Sequence, residues 1–235
     1  MLNRRSTLVS LTLGLPLAPA WGQVLMQIST LLDPDPATQV AERILREAYR
    51  RLGRELEVKA MPGERSLLSA NSGETDGELY RKAGIDRAYP NLLMVPVALQ
   101  QYEIVAFTKS RQLDVHGWES LRPYKLGFVK GIKIIEENTV GMQLETVATM
   151  QQAFAKLELG RTDVVLANRI SGLASLRQHQ FSGVRVLQPA LATFPVFHYL
   201  NKKHELLLPR LAAVMRELEQ ERFIQKVQDE VLSGF

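Results

Sequence analysis

An α/β fold with mixed, mainly parallel sheets is predicted by three observations. Apolar segments of strand length alternate with segments of helical period, and Gly, Pro, Asn and Asp fill the breaks between them. Beyond the N-terminal segment, no apolar run approaches the ~20 residues a bilayer span needs.

Leu25 to Leu32 reads as the first strand. Asp33-Pro-Asp-Pro36 turns the chain and offers an N-cap to a helix in which Val40, Ile44, Leu45, Ala48 and Leu52 share one face, with Gly53 placed to end it. Glu55 to Met61 alternates apolar and polar residues as a half-buried strand and stops at Pro62-Gly63. Arg65 to Ala70 is a short helical segment, Asn71-Ser-Gly73 a turn, and Asp76 to Leu79 and Leu92 to Val95 are further strands. Tyr102 to Thr108 is another, followed by a polar connector over residues 109–114 where the chain is expected to cross into a second α/β series.

That series opens with a strand at Tyr124 to Val129, a turn at Lys130-Gly131 and a helix from Ile132 to Asn138. Gln143 to Val147 is strand-like. Thr149-Met-Gln-Gln152 has the form of a capping box for a helix with Met150, Phe154 and Leu157 inward, and Gly160 stops it. Asp163 to Ala167 is a very apolar strand, Ser171 to His179 a helix and Val184 to Gln188 a strand. Val196 to Leu200 reads as a strand returning to the first series, before helices over His204 to Gln220 and Glu221 to Leu232. No internal repeat or low-complexity segment interrupts this order.

The N-terminus carries Asn3-Arg4-Arg5, an apolar run of about 13 residues from Thr7 to Pro19, and a small-residue exit at Ala18-Pro-Ala-Trp-Gly22. Residues 1–22 therefore read as a secretory signal peptide, cut after Ala20 or Gly22. Arg4-Arg5 before Ser-Thr-Leu weakly resembles a twin-arginine signal. Export to the periplasm is expected, and the mature chain is not embedded in the membrane. The complete absence of cysteine excludes disulfides, thiol nucleophiles and zinc-thiolate sites.

Composition and motifs exclude several further classes. The net charge of +4 falls to roughly +2 without Arg4 and Arg5, and basic runs never exceed a pair, so no nucleic-acid footprint is present. No Gly-x-Ser-x-Gly elbow, His-Glu-x-x-His run or phosphate loop occurs. The four histidines, His116, His179, His198 and His204, form no pair on a helix face, and Glu136-Glu137 point to different sides. No metal or nucleotide cofactor is expected.

The order of segments carries a resemblance. It runs through the helix over residues 37–53, Pro62-Gly-Glu-Arg65, Asn71-Ser-Gly-Glu-Thr-Asp76-Gly77, Tyr89-Pro-Asn-Leu92, Lys125-Leu-Gly-Phe-Val-Lys-Gly131, Leu159-Gly-Arg-Thr-Asp163 and the terminal helices from His204-Glu-Leu206. In this order the chain resembles family 3 of the bacterial extracellular solute-binding proteins over nearly all of its mature length. The resemblance implies a two-lobe periplasmic-binding-protein fold (type II) with a hinge of two crossover segments. Lobe I would comprise residues 23–107 and 197–235, and lobe II residues 108–196. It also implies a monomer that captures a small polar or anionic organic solute by hinge closure, partnered by the permease of an ABC importer or the outer domain of a sensor kinase, and not an enzyme. A periplasmic dehydratase-like enzyme and a ligand-free signalling module on the same fold are the alternatives.

The resemblance further implies the ligand-binding residues. An arginine of lobe I meets the solute's carboxylate, and Arg81 and Arg87 both lie in the right passage with the register between them open. Either could instead be a surface arginine paired with Asp86 or Glu78. Gly131, Ile132 and Lys133 stand where the family has Gly followed by a small hydroxyl, so backbone amides and the Lys133 charge remain as donors while the hydroxyl contact is lost. Asn168 stands where the family's ammonium-binding acid belongs, which puts an ordinary α-amino-acid ligand in doubt. Tyr80, Tyr102, Trp118 and Phe128 are candidates for apolar walls or for core, and Arg65 and Asp76 for structural braces.

Overall fold

In the computed structural model, residues 24–32, 36–110 and 112–232 are described. The expected signal segment 1–22 and the Asp33-Pro-Asp35 turn lie outside them. One mixed sheet of nine strands organises the chain, in the order β2-β1-β3-β9-β4-β7-β5-β6 with β8 on β4. On one flank β1 (Val24–Leu31) runs parallel to β2 (Arg54–Met61) and β3 (Gly77–Lys82). On the other flank β5 (Lys125–Val129) runs parallel to β6 (Gln143–Val147) and β7 (Val164–Asn168). Between them stand β4 (Leu92–Thr108) and β9 (Ala192–Asn201), antiparallel to each other and to β3 and β7, while β8 (Arg185–Val186) is antiparallel on β4. The α/β mixed sheet is thus present, with parallel pairing confined to its flanks.

The 17 residues of β4 join two segments that the sequence reads as separate strands. Pro96 interrupts the pattern because it has no N–H for the ladder. Here it is exposed, and the register against β9 shifts between Met94 and Ala98 and again before Gln100, so bulging accommodates the proline while the strand continues. Leu92 to Ile104 lie against β9, and Ile104 to Thr108 already lie against β7. The passage between flanks is therefore made inside β4 and β9, before the polar connector begins.

Helix α1 (Pro36–Arg51) buries Val40, Ile44, Leu45 and Ala48 completely, as their spacing predicts, and buries Ala41 as well, while Leu52 is only partly covered. Full burial of each large aliphatic side chain contributes about 1.5–3 kcal/mol. Gly53, with φ of 68°, takes the left-handed conformation after the helix. Helix α2 (Gly63–Ser72) packs on β1 and β3, and α3 (Lys133–Asn138) follows β5. In α4 (Met150–Glu158) the capping box is formed: the Thr149 hydroxyl accepts from Gln152 N and the Gln152 side chain accepts from Thr149 N. α5 (Arg169–Gln178) follows β7. The first of the two expected terminal helices begins as a 3-10 turn over Lys202–Leu207, and α6 (Leu208–Gln220) starts afresh with Pro209 in its first turn. α7 (Phe223–Leu232) packs with α1 and α6.

A buried polar link ties β9 to this core. His198 is fully buried, with Nδ1 at 2.8 Å from the Glu78 carbonyl and Nε2 at 2.8 Å from the Tyr49 hydroxyl. Nδ1 must therefore carry the proton, and Nε2 accepts from Tyr49. Burial lowers the His198 pKa from 6.5 to about 4. A depressed folded-state pKa stabilises the fold fully above the unfolded value and loses that contribution as pH falls through the folded one. The unfolding free energy, measured by urea titration, should decline between pH 6.5 and 4 in the unaltered protein, and His198→Gln should flatten the decline. Equal slopes for the two proteins would refute this origin.

Candidate functional site

The ends of β1, β2 and β3 face the ends of β5 and β6, and the two flanks meet along a seam. Arg81, near the end of β3, is only 7% exposed at this seam. Its Nε donates to Glu78 Oε1 at 2.8 Å, one terminal nitrogen donates to the Gly131 carbonyl at 3.1 Å, and the other to the Gly63 carbonyl at 3.3 Å. The guanidinium thus holds a carboxylate on its own strand and backbone oxygens on both sides of the seam. Glu78 is completely buried and also accepts from the Ser29 hydroxyl at 3.0 Å and from Ser66. Burial pushes the Glu78 carboxyl upward in pKa, while Arg81 and the two hydroxyls oppose that shift.

Two glycines set how closely the flanks approach. A Cβ on Gly63 would lie 2.9 Å from Gly131 Cα, and one on Gly131 would lie 2.7 Å from Gly63 Cα. Gly131 also has φ of 97°, a conformation that L side chains rarely adopt. Around this contact Lys133 pairs with Glu64 across the seam and with Glu136 at 3.3 Å on its own helix, and Lys82 pairs with Glu137. Tyr89 donates to Glu64 at 2.8 Å. Lys133 beside it, together with this hydroxyl, lowers the Glu64 pKa.

The expected site residues fall into separate places. Arg81 is interior, whereas Arg87 is exposed in a 3-10 turn over Ile85–Arg87. Gly131 is at the seam, but its N–H already donates to Glu136 Oε1 at 2.8 Å. Ile132 is buried and Lys133 is engaged by carboxylates. Tyr80 is buried beside Arg81, with its hydroxyl 3.1 Å from Thr38 Oγ1. Asn168 is buried at the end of β7, where its side-chain oxygen caps α5 by accepting from Ile170 N at 3.1 Å and Ser171 N at 3.2 Å. Asn168 is therefore the N-cap of α5, and it lines a different depression, with Glu103 and Arg169.

Beside Arg81 is a chamber of about 40 Å³, walled by Tyr80, Tyr102, Phe194 and Ile132. That is little more than the ~30 Å³ share of one water. Tyr102 stacks obliquely between Tyr80 and Phe194, at ring-centroid separations of 6.0 and 5.8 Å. Phe128 is in the core, and Trp118 packs against it partly buried. Asp76 braces β1 and the terminal turn, accepting from Gln27 N at 2.7 Å and pairing with Lys203 and His204. Sequence reading places Glu78 only as a surface partner of either arginine and Glu136 only beside Glu137 on different sides of a helix, and it misses the Gly63 contact. Gly63 and Gly131 lie far apart in the chain, and no local pattern marks their contact.

Among solved structures the chain is similar to a histidine kinase sensor domain with similarity to periplasmic binding proteins, at TM-score 0.79 and 16% identity over 89% of this chain and 96% of that one. It is similar to an ancestral arginine-binding protein bound to glutamine, at TM-score 0.76 and 16% identity over 88% and 97%. A third likeness is to the substrate-binding protein of an amino acid ABC transporter, at TM-score 0.73 and 16% identity over 88% and 98%. These establish a two-lobe periplasmic-binding-protein fold. No family model matches the sequence. An uncharacterized protein of Shewanella oneidensis is 25% identical over 203 residues, 83% of this chain and 76% of its own length.

The Gly63 to Gly131 approach makes a direct prediction. Gly63→Ala should wedge the seam, since relief requires the Gly131 backbone to retreat. Because the chain has no cysteine, spin labels at Leu68→Cys and Leu144→Cys report the separation cleanly. The Ala variant should give a longer or broader distance distribution by pulsed EPR. An unchanged distribution would show that this contact does not set the approach.

Proposed function

We propose that the protein is a two-lobe solute receptor that opens and closes along this seam to capture a small anionic organic solute. Its lobes divide near Tyr102 in β4 and Pro195 in β9, a few residues inside the expected boundaries at 107 and 196. The observation that carries the reading is the placement of Arg81: a buried guanidinium paired with Glu78 through Nε and one terminal nitrogen, whose other terminal nitrogen is held across the seam by the Gly131 carbonyl. A carbonyl carries only partial charge, so a solute carboxylate entering an opened seam outcompetes Gly131 for the terminal nitrogen that Glu78 does not hold. Closure around the solute then shifts the population that a partner reads. By likeness to a transporter component and a kinase sensor domain, that partner is a membrane permease or a sensor kinase. Periplasmic residence follows from the expected signal segment.

Nothing at the seam favours turnover. The carboxylates of Glu64 and Glu136 are tied to Lys133, that of Glu137 to Lys82 and that of Glu78 to Arg81, so none of these four is free to act as a general base. Capture without chemistry is the activity these groups support.

A thermal-shift screen with small organic acids, amino acids and amines tests the proposal. A solute at a hundredfold excess over its Kd should add about 2.7 kcal/mol to stability. Arg81→Lys keeps the charge opposite Glu78 but loses the planar fork, so it should lose most of the solute response while remaining folded. Arg81→Ala strands a buried carboxylate and should cost about 3–5 kcal/mol even without solute. An undiminished response in Arg81→Lys would reject this anchor, and the absence of any response would reject the receptor reading.

A further inference from the structure

The Gly63 to Gly131 contact also borders a second and much larger space, a groove of about 860 Å³ between the flanks. Leu31 and Leu68 line one wall, and Val129, Thr146 and Val147 the other. Leu68 is 54% exposed and adds apolar surface to the groove. The size falls within the range of small-molecule sites, about 300–1,000 Å³.

The charges of the groove are unequally satisfied. Of its carboxylates, Glu64 is held by Lys133 and Tyr89, and Glu74 accepts from the Ser69 hydroxyl at 2.7 Å. Its two cations, Arg65 at the start of α2 and Lys130 at the end of β5, engage no acceptor with their side chains among the described residues. They stand on opposite walls, and both border the same apolar floor. Because a hydroxyl leaves the Glu74 charge in place, the unpaired charge of the groove is positive by a single unit, with one cation on each lobe.

We propose that this groove binds a small monocarboxylate with an aliphatic or aromatic body, its apolar part on Leu31, Leu68 and Val147 and its carboxylate between Arg65 and Lys130. A small hydrophilic anion would leave the floor uncovered, and a neutral apolar molecule would leave both cations unpaired. Because one cation comes from each lobe, occupancy favours the closed form. The proposal rests on the two-lobe receptor reading and names a ligand class and a place for it away from the Arg81 chamber.

Calorimetric titration of the purified protein with octanoate, octanol and acetate tests this. Octanoate should bind at least tenfold more tightly than either of the others. Arg65 and Lys130 are exposed, so the double variant Arg65→Gln/Lys130→Gln should fold normally and lose the preference for octanoate over octanol. Absence of octanoate binding, equal binding of octanoate and octanol, or a preference that survives the double substitution would each overturn the proposal. If octanoate fails while a hydrophilic acid still stabilises the protein through Arg81, only the groove assignment falls. If neither acts, the receptor reading falls with it.

Discussion

The buried guanidinium of Arg81 is the constraint around which the two flanks are arranged. A charge removed from water must be matched by acceptors, and here they come from three segments distant in sequence: Glu78 on the same strand, Gly63 at the start of α2 and Gly131 after β5. Glu78 is fixed in turn by Ser29 and Ser66, so β1, α2 and β3 form one polar unit under the seam. Steric freedom at the two glycines then lets the Gly131 carbonyl come within reach. Remove the charge, or add a side chain at either glycine, and the Gly131 carbonyl no longer has the same hold on the seam.

The chain closes over its own groups. Glu136 takes the Gly131 amide and Glu78 takes the guanidinium, so internal carboxylates stand at donors that an external anion would use. The exposed pairs at the rim, Lys82 with Glu137 and Lys133 with Glu64, add modest energy because water screens them. The buried contacts and the fit of backbone on backbone therefore dominate the closed form.

Much of the fold was legible because it is local. The stripe on α1, the capping box of α4 and the punctuation at Gly53 and Gly160 each depend on residues within a turn or two of each other. What could not be read depends on contacts distant in the chain. Leu92 to Val95 and Tyr102 to Thr108 looked like two strands because Pro96 breaks the pattern, and only pairing with β9 makes them one. Arg81 and Arg87 are indistinguishable by type, yet β3 extends to Lys82 and carries the first inward, while the 3-10 turn turns the second to solvent. Asn168 is the instructive case: an Asn directly before a helix is a cap on local grounds, and the structure places its oxygen there.

The long pairing of β4 with β9, bulged on either side of Ala98, has a mechanical consequence. Two strands bonded edge to edge along their length form a ribbon that is stiff within its own plane and compliant in torsion. Joined by such a ribbon, flanks that part as proposed would do so by a change in its twist rather than by swinging on a free pivot. In that proposed motion the bonded strands, and not a loose linker, would join the two flanks throughout.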